Sequence, residues 1–298
     1  MSQLPPTPIE GITYFQPAEG FRLTGRDGLV DIPWGDTPIP LLDQDYRSVL
    51  ETGAPGYDQV GNGIYQALRR NPECSGAHLY ADILRQAYPH IIAEIGGEAI
   101  MLDARDIELP YLDRKIVLLK IMALLDPENP GLWREIGRTL MEKGSRLEAS
   151  HLAVQSWYGA EKYLTRAMNH DPEDLHTCYQ LGEVHYILGH YDQALALWEK
   201  MLDACPEADK QAVGIRVDAI RNKSLPMVPP VDYLTALSVA FEQQQENNLE
   251  EAAAIVEDVL ADPVFCAQFP MAEVHRFLEQ LYLSLNRTDK INSLRGRN

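Results

Sequence analysis

Along most of the chain, apolar side chains return every three to four positions, the spacing that gives a helix one dry face. The sharpest run is Cys178-Tyr-Gln-Leu-Gly-Glu-Val-His-Tyr-Ile-Leu-Gly-His-Tyr-Asp-Gln-Ala-Leu-Ala-Leu-Trp-Glu-Lys-Met-Leu-Asp-Ala-Cys-Pro206, which reads as two amphipathic helices meeting at a turn. Upstream, residues 133–144 predict one helix. A second, over 146–170, contains no breaker except Gly159 before Asp171-Pro172 stops it. A helix of some 24 residues is about 36 Å long and would project beyond its neighbours. Weaker periodicity predicts helices over 43–51, 57–71, 77–103 (interrupted near Pro89 and Gly96-Gly97) and 110–126. Downstream it predicts 207–223, 232–246, 249–260 and a closing helix over 271–286. Residues 1–42 hold Pro at 5, 6, 8, 17, 33, 38 and 40, which forbids a regular helix. They are expected to form an irregular arm, with a short hairpin where Phe21-Arg-Leu-Thr and Leu29-Val-Asp-Ile flank Gly25-Arg-Asp-Gly28. Residues 287–298 are expected as a loose basic tail.

The spacing inside the sharpest run has a second copy. Leu181 and Gly182 are followed by Gly189, and then by Ala194, Trp198 and Pro206 at twelve, sixteen and twenty-four positions beyond Gly182. Upstream, Trp133-Arg-Glu-Ile-Gly137 opens the same way, with Leu140 and Gly144 at the next landmarks. This pattern resembles the tetratricopeptide repeat, W-x2-L-G-x2-Y, then A-x3-F, then P, over about 34 residues. Cys178 stands at the tryptophan position and His185 at the tyrosine position. The resemblance covers two well-marked repeats in 130–206 and a third at 232–263, where Ala252 and Val259 fall at repeat-like places. Residues 43–129 read as degenerate helical hairpins, and 207–286 as degenerate and C-terminal repeats with the closing helix. It implies an all-α fold, a right-handed superhelical stack of hairpins forming an α-solenoid, since one hairpin cannot bury both its faces alone. The second helix of the first repeat is overlong by about eleven residues, about three turns, which preserves its facing. Ala149, Ala153 and Ser156 accordingly recur as Ala160, Leu164 and Ala167.

In that family the first helices of successive repeats line a concave groove, and the ligands are typically peptides or proteins. Carried over by motif position, the groove would show Arg134, Arg138 and Met141, then His176, Tyr179, Glu183 and Tyr186, then Leu234, Leu237 and Phe241. Arg134 and Arg138 stand one turn apart, so two guanidinium forks could hold a carboxylate-bearing segment. The alternative is pairing with Glu135, Glu142 or Glu183. The family's carboxylate clamp uses Lys and Asn at the comparable places, and this chain lacks that pattern. Leu234, Leu237 and Phe241 predict an apolar floor rimmed with acid, suited to a basic amphipathic helix, or else core packing against the closing helix. Trp157 and Tyr158 lie on the overlong helix where no repeat covers them, and are expected to form a partner or self-association surface.

Charge narrows the partner. The 298 residues carry a net charge of −18 at pH 7, a field that repels phosphate backbones and argues against nucleic acid. Over 230–285 ten acidic residues face Arg276 alone. No apolar run reaches the roughly 18–20 residues a membrane span needs, and the first residues have no basic start or apolar core of a secretory signal. Four scattered cysteines, with no C-x-x-C pair, suggest reduced thiols and a cytoplasmic home. Little here points to catalysis. Gly53-Ala-Pro-Gly56 and Gly61-Asn-Gly63 do not make a phosphate loop and read as a loop and helix start. His151, His170, His176, His185 and His190 crowd the middle, where Cys178 or Glu183 could join them on a metal, yet without the strong i, i+4 pairing on one face. No cofactor or metal is therefore expected. The leading reading is a non-enzymatic adaptor or assembly chaperone that binds a protein or peptide. Self-assembly as a homo-oligomer through the long helix, and a metal- or cofactor-dependent enzyme built on the histidines, are the rivals.

Overall fold

The structure, a computed structural model, describes residues 6–25, 28–30, 37–103, 108–146, 152–204, 207–269 and 271–295. It is all-α apart from four short strands among the described residues, and it divides into two compact units, Met1–Leu132 and Trp133–Asn298.

In the first unit, strands β1 (Ile12–Phe15), β2 (Leu23–Gly25), β3 (Gly28–Val30) and β4 (Ile39–Leu42) precede helices α1 (Asp43–Thr52), α2 (Tyr57–Arg70), α3 (Ala77–Ala87), α4 (Pro89–Asp103) and α5 (Leu109–Leu125). The β2–β3 hairpin pairs Leu23 with Val30 and Gly25 with Gly28. Where an irregular arm was expected, β1 and β4 also pair, antiparallel, with Ile12 opposite Leu42 and Tyr14 opposite Pro40. A two-stranded ribbon has a free edge on each strand, so Pro40 can join it without forfeiting a ladder bond. Ile39 and Leu41 are fully buried beside Ile64 and Leu68 of α2. The approach is close enough that a Cβ on Gly63 would stand 2.1 Å from the Pro40 carbonyl oxygen. Gly61 and Gly63 thus lie inside α2, within the helix expected over 57–71, and that helix packs tightly on β4. Gly96 and Gly97 do not interrupt α4.

The second unit comprises α6 (Pro130–Gly144), α7 (Ala153–His170), α8 (Leu175–Ile187), α9 (Tyr191–Ala204), α10 (Glu207–Arg221), α11 (Pro230–Gln245), α12 (Leu249–Val259), α13 (Pro263–Gln268), α14 (Ala272–Ser284) and α15 (Thr288–Arg295). Hairpins α8–α9 and α11–α12 pack internally, α7 packs on α8 and α11, and α14 lies on α12. In the α8–α9 hairpin a Cβ on Gly182 would stand 2.2 Å from Trp198 Nε1; in the preceding one a Cβ on Gly137 would stand 2.5 Å from Leu164 Cγ. Glycine is what lets each helix pair close. Its counterpart in the third hairpin is a small residue: Ala240, Ala252 and Val256 are all fully buried.

These contacts correct the reading of the overlong helix. Gly182 meets a residue sixteen positions on, whereas Gly137 meets one eleven positions further along than that, so Ala160 and Leu164 occupy the places of Ala194 and Trp198. The additional residues therefore precede Ala160, shared among the end of α6, the α6–α7 connection and the start of α7, which has 18 residues against 14 in α9 and is about 27 Å long. Ala149 and His151 fall outside the described residues. Nor are residues 287–295 loose as expected; residues 296–298 of that tail lie outside the described residues. Ile291 of α15 is buried, Lys290 Nζ lies 2.6 Å from Glu257 Oε1, and Arg287 pairs with Glu250.

Candidate partner-binding face

Helix α8 begins at Asp174, whose carboxylate accepts the backbone N–H of His176 at 3.2 Å and the hydroxyl of Thr177 at 2.6 Å. Arg134 Nη1 of α6 closes on the same carboxylate at 2.5 Å. Burial alone would push Asp174 up, but the hydrogen bonds from Thr177 and Arg134 outweigh it and hold the carboxyl below its ordinary range. Arg138 is spoken for as well: it forks onto Glu135 at 2.7 and 2.8 Å and reaches Glu142 at 3.5 Å. Both arginines expected to hold a carboxylate ligand are thus neutralised from within the chain.

From the capped start, α8 turns Thr177, Cys178, Leu181, Gly182 and Val184 inward and leaves His176 and Tyr179 exposed. Glu183, one turn on from Tyr179, is four-fifths covered. Burial pushes its carboxyl up, and Arg216 of α10, with Nη2 3.7 Å from Glu183 Oε2, offsets this only in part. Arg216 lies over the Tyr186 ring at 4.7 Å and the Phe269 ring at 5.4 Å, and it donates to Gln268 Oε1 at 3.1 Å. Tyr186 donates its hydroxyl to that same oxygen. Three elements, α8, α10 and α13, therefore converge on a mostly buried carboxylate flanked by an exposed tyrosine.

Residues 176–208 match the family model of the tetratricopeptide repeat. That stretch of the chain is similar to a tetratricopeptide repeat. The match ends close to where the α8–α9 hairpin does, so the repeat and the candidate face share their leading helix. No curated protein matches the chain.

The other residues expected in the repeat groove are placed differently. Tyr186 is fully buried, Leu237 is 2% exposed, and Leu234 and Met141 are half-buried against the α7–α8 core. Phe241 stacks on Phe277 of α14, with ring centroids 4.1 Å apart and planes 9° from parallel. The apolar floor has become core because the closing helix covers it. Trp157 is corrected too: it is 4% exposed and donates Nε1–H to the Gly144 carbonyl at 3.2 Å, since α7 starts late enough to lay it against the end of α6. Tyr158 alone of that pair is exposed, at 50%. Arg216 went unforeseen because α10 carries no repeat landmark. Its position beside buried Val213 and Val217, at the margin of an amphipathic helix, was the only available signal.

Proposed function

We propose that this protein is a protein- or peptide-binding adaptor, serving as a scaffold or assembly chaperone, that grips a basic side chain of its partner on the exposed face of α8. Glu183 is the observation that carries this reading. A carboxylate mostly withdrawn from water and only partly compensated gains when a cation arrives, and Tyr179, 37% exposed, offers a ring face for the cation's stem. The net charge of −18 steers a basic segment inward. A basic amphipathic helix fits better than a carboxylate-bearing segment, because Arg134 and Arg138 already have acidic partners. Among the described residues no helix is long and apolar enough to cross a membrane. The free thiols of Cys74, Cys178 and Cys266 suit a reducing cytoplasm.

Fluorescence anisotropy with a synthetic Lys/Arg-rich amphipathic helix, and with an acidic counterpart, tests the reading. The basic peptide is expected to bind, more weakly as salt rises, and Glu183→Gln to lower its affinity about tenfold, about 1.4 kcal/mol. Equal binding of the acidic peptide, or an affinity unchanged in both Glu183→Gln and Tyr179→Ala, would remove the proposed face.

A further inference from the structure

Away from the partner face, α7, the end of α8 and the α8–α9 turn meet at three side chains whose donor atoms converge. Glu161 Oε1 lies 3.3 Å from His185 Nδ1 and 3.4 Å from His190 Nδ1. One ligand atom from each of the three falls within 4.8 Å of the others, and the two imidazole centroids are 5.7 Å apart.

The backbone holds the two histidines together. Helix α8 ends in a glycine turn: Gly189 sits at φ +79°, its N–H bonds to the Tyr186 carbonyl at 3.1 Å, and the His190 N–H returns to the His185 carbonyl at 2.7 Å. This six-to-one closure of a helix end requires a residue in the left-handed region, and it brings His190 back beside His185. The spacing His-x4-His therefore places two imidazoles together without i, i+4 pairing, which is why it escapes a search for helical ligand pairs.

Two features set the cluster apart from an ordinary ion pair. Both Nδ1 atoms are shut off from solvent, yet neither has a hydrogen-bond partner; the carboxylate oxygen is near but out of line. His185 is 9% exposed, so its unmet nitrogen is a cost that the fold tolerates without visible return. The two Glu161–histidine distances match one geometry, and the two imidazole ligand atoms stand within 4.8 Å of each other. Ligands about 2.0–2.1 Å from a tetrahedral ion stand about 3.3–3.4 Å apart, while cis ligands of an octahedral ion at the same bond length stand only about 2.9 Å apart.

We propose that Glu161, His185 and His190 bind one tetrahedral transition-metal dication, zinc by preference, with the fourth position open to water or to a side chain of a bound partner. Two imidazoles and a carboxylate match the borderline character of zinc. Glu161 and His190 are partly exposed, at 24% and 39% of their side chains, so an ion can enter from solvent. Such a site ties α7 to the end of α8.

The test uses tag-free full-length protein stripped with chelator, titrated calorimetrically with zinc and spectroscopically with cobalt. The expected result is one zinc per chain, a tetrahedral cobalt spectrum, and a melting midpoint that zinc raises. His190→Ala, at a partly exposed turn, and Glu161→Gln should each lower zinc affinity about 10- to 100-fold and abolish the cobalt bands. Metal-free His190→Ala is expected to melt with metal-free wild type, which separates ligand loss from misfolding. No zinc uptake at micromolar protein, an octahedral cobalt spectrum, or affinity undiminished in both variants would overturn the site.

Discussion

Replacing either Gly182 or Gly214 by alanine adds one methyl group to a helix, and the two substitutions are predicted to change stability in opposite directions. In both helices alanine is intrinsically favoured over glycine by about 0.5–1 kcal/mol, because the unfolded chain loses freedom. At Gly214 in α10 nothing lies within 4 Å of the new Cβ, so that gain is kept. At Gly182 in α8 the Cβ would stand 2.2 Å from Trp198 Nε1 and 2.7 Å from its Cδ1 and Cε2. Those separations fall roughly 1 Å short of the about 3.5 Å at which carbon atoms rest, so the indole must move.

Trp198 has nowhere easy to go. It is fully buried, tilted against Tyr186 at 5.9 Å, and its N–H points to the Tyr179 carbonyl at 3.4 Å. Overpacking of this kind costs about 1–3 kcal/mol, and losing the indole hydrogen bond adds about 1 kcal/mol. Net, Gly182→Ala should destabilise by about 1–3 kcal/mol and Gly214→Ala should stabilise by about 0.5–1 kcal/mol. Thermal unfolding followed by far-UV circular dichroism reads both, at about 2–4 °C per kcal/mol for a unit of this size. A Gly182→Ala protein that melts as high as Gly214→Ala would refute the account of why this hairpin closes on glycine.

Two carboxylates should show opposite pH signatures. Asp262 is 1% exposed and accepts from Tyr233 Oη at 2.6 Å, Met227 N at 2.7 Å, Val264 N at 2.9 Å and Phe265 N at 3.1 Å. Burial would raise it, but the Tyr233 hydroxyl and the three N–H groups outweigh that and hold it below its ordinary value. Its stabilisation is therefore present above the unfolded-state pKa, about 3.9, and lost as pH falls through the folded value. Asp262→Ala should cost about 3–5 kcal/mol at neutral pH, and urea titrations should show the gap to wild type closing in acid. Glu183 is raised in the fold, so its charged form opposes folding once pH exceeds the unfolded-state value. Glu183→Gln should melt higher than wild type at pH 7 and converge with it in acid; an equal or lower midpoint at pH 7 contradicts the assigned burial.

What could be read before the structure depended on period. Apolar spacing near 3.6 located the helices from Asp43 to Ser284 except the six-residue α13, because burial of one face is what makes them helical. The insertion after α6 was misread for the same reason. A shift of eleven residues returns a helix to nearly the same facing, so Ala149 and Ala160 were equivalent candidates, and only the approach of Gly137 to Leu164 decides between them. The β1–β4 pair was obscured by its length of four residues each and by Pro38 and Pro40. Of the residues expected in the groove, His176 and Tyr179 lie exposed and Glu183 is mostly covered beside Arg216 of α10. Phe241 is instead taken up by Phe277 of α14, a contact between residues far apart in sequence. Arg216 and Gln268 complete the candidate face from helices without a motif, and Glu161 joins the two histidines from another helix, so neither grouping has a local signal.

The period of α8 also explains how one short helix can serve two ends. Glu183 and His185 are two residues apart, about 200° around the axis, so a side chain offered to a partner and one turned toward α7 alternate without competing. Both ends of the helix are tied: Asp174 caps its start and is held by Arg134, and the Gly189 turn closes onto His185. A face fixed at both ends loses little freedom when it binds, so more of the contact energy appears as affinity. Glu183, offset only in part by Arg216, is held in place because its surroundings cannot relax to relieve it. Loosening either tie should cost binding even where no contact to the partner is touched.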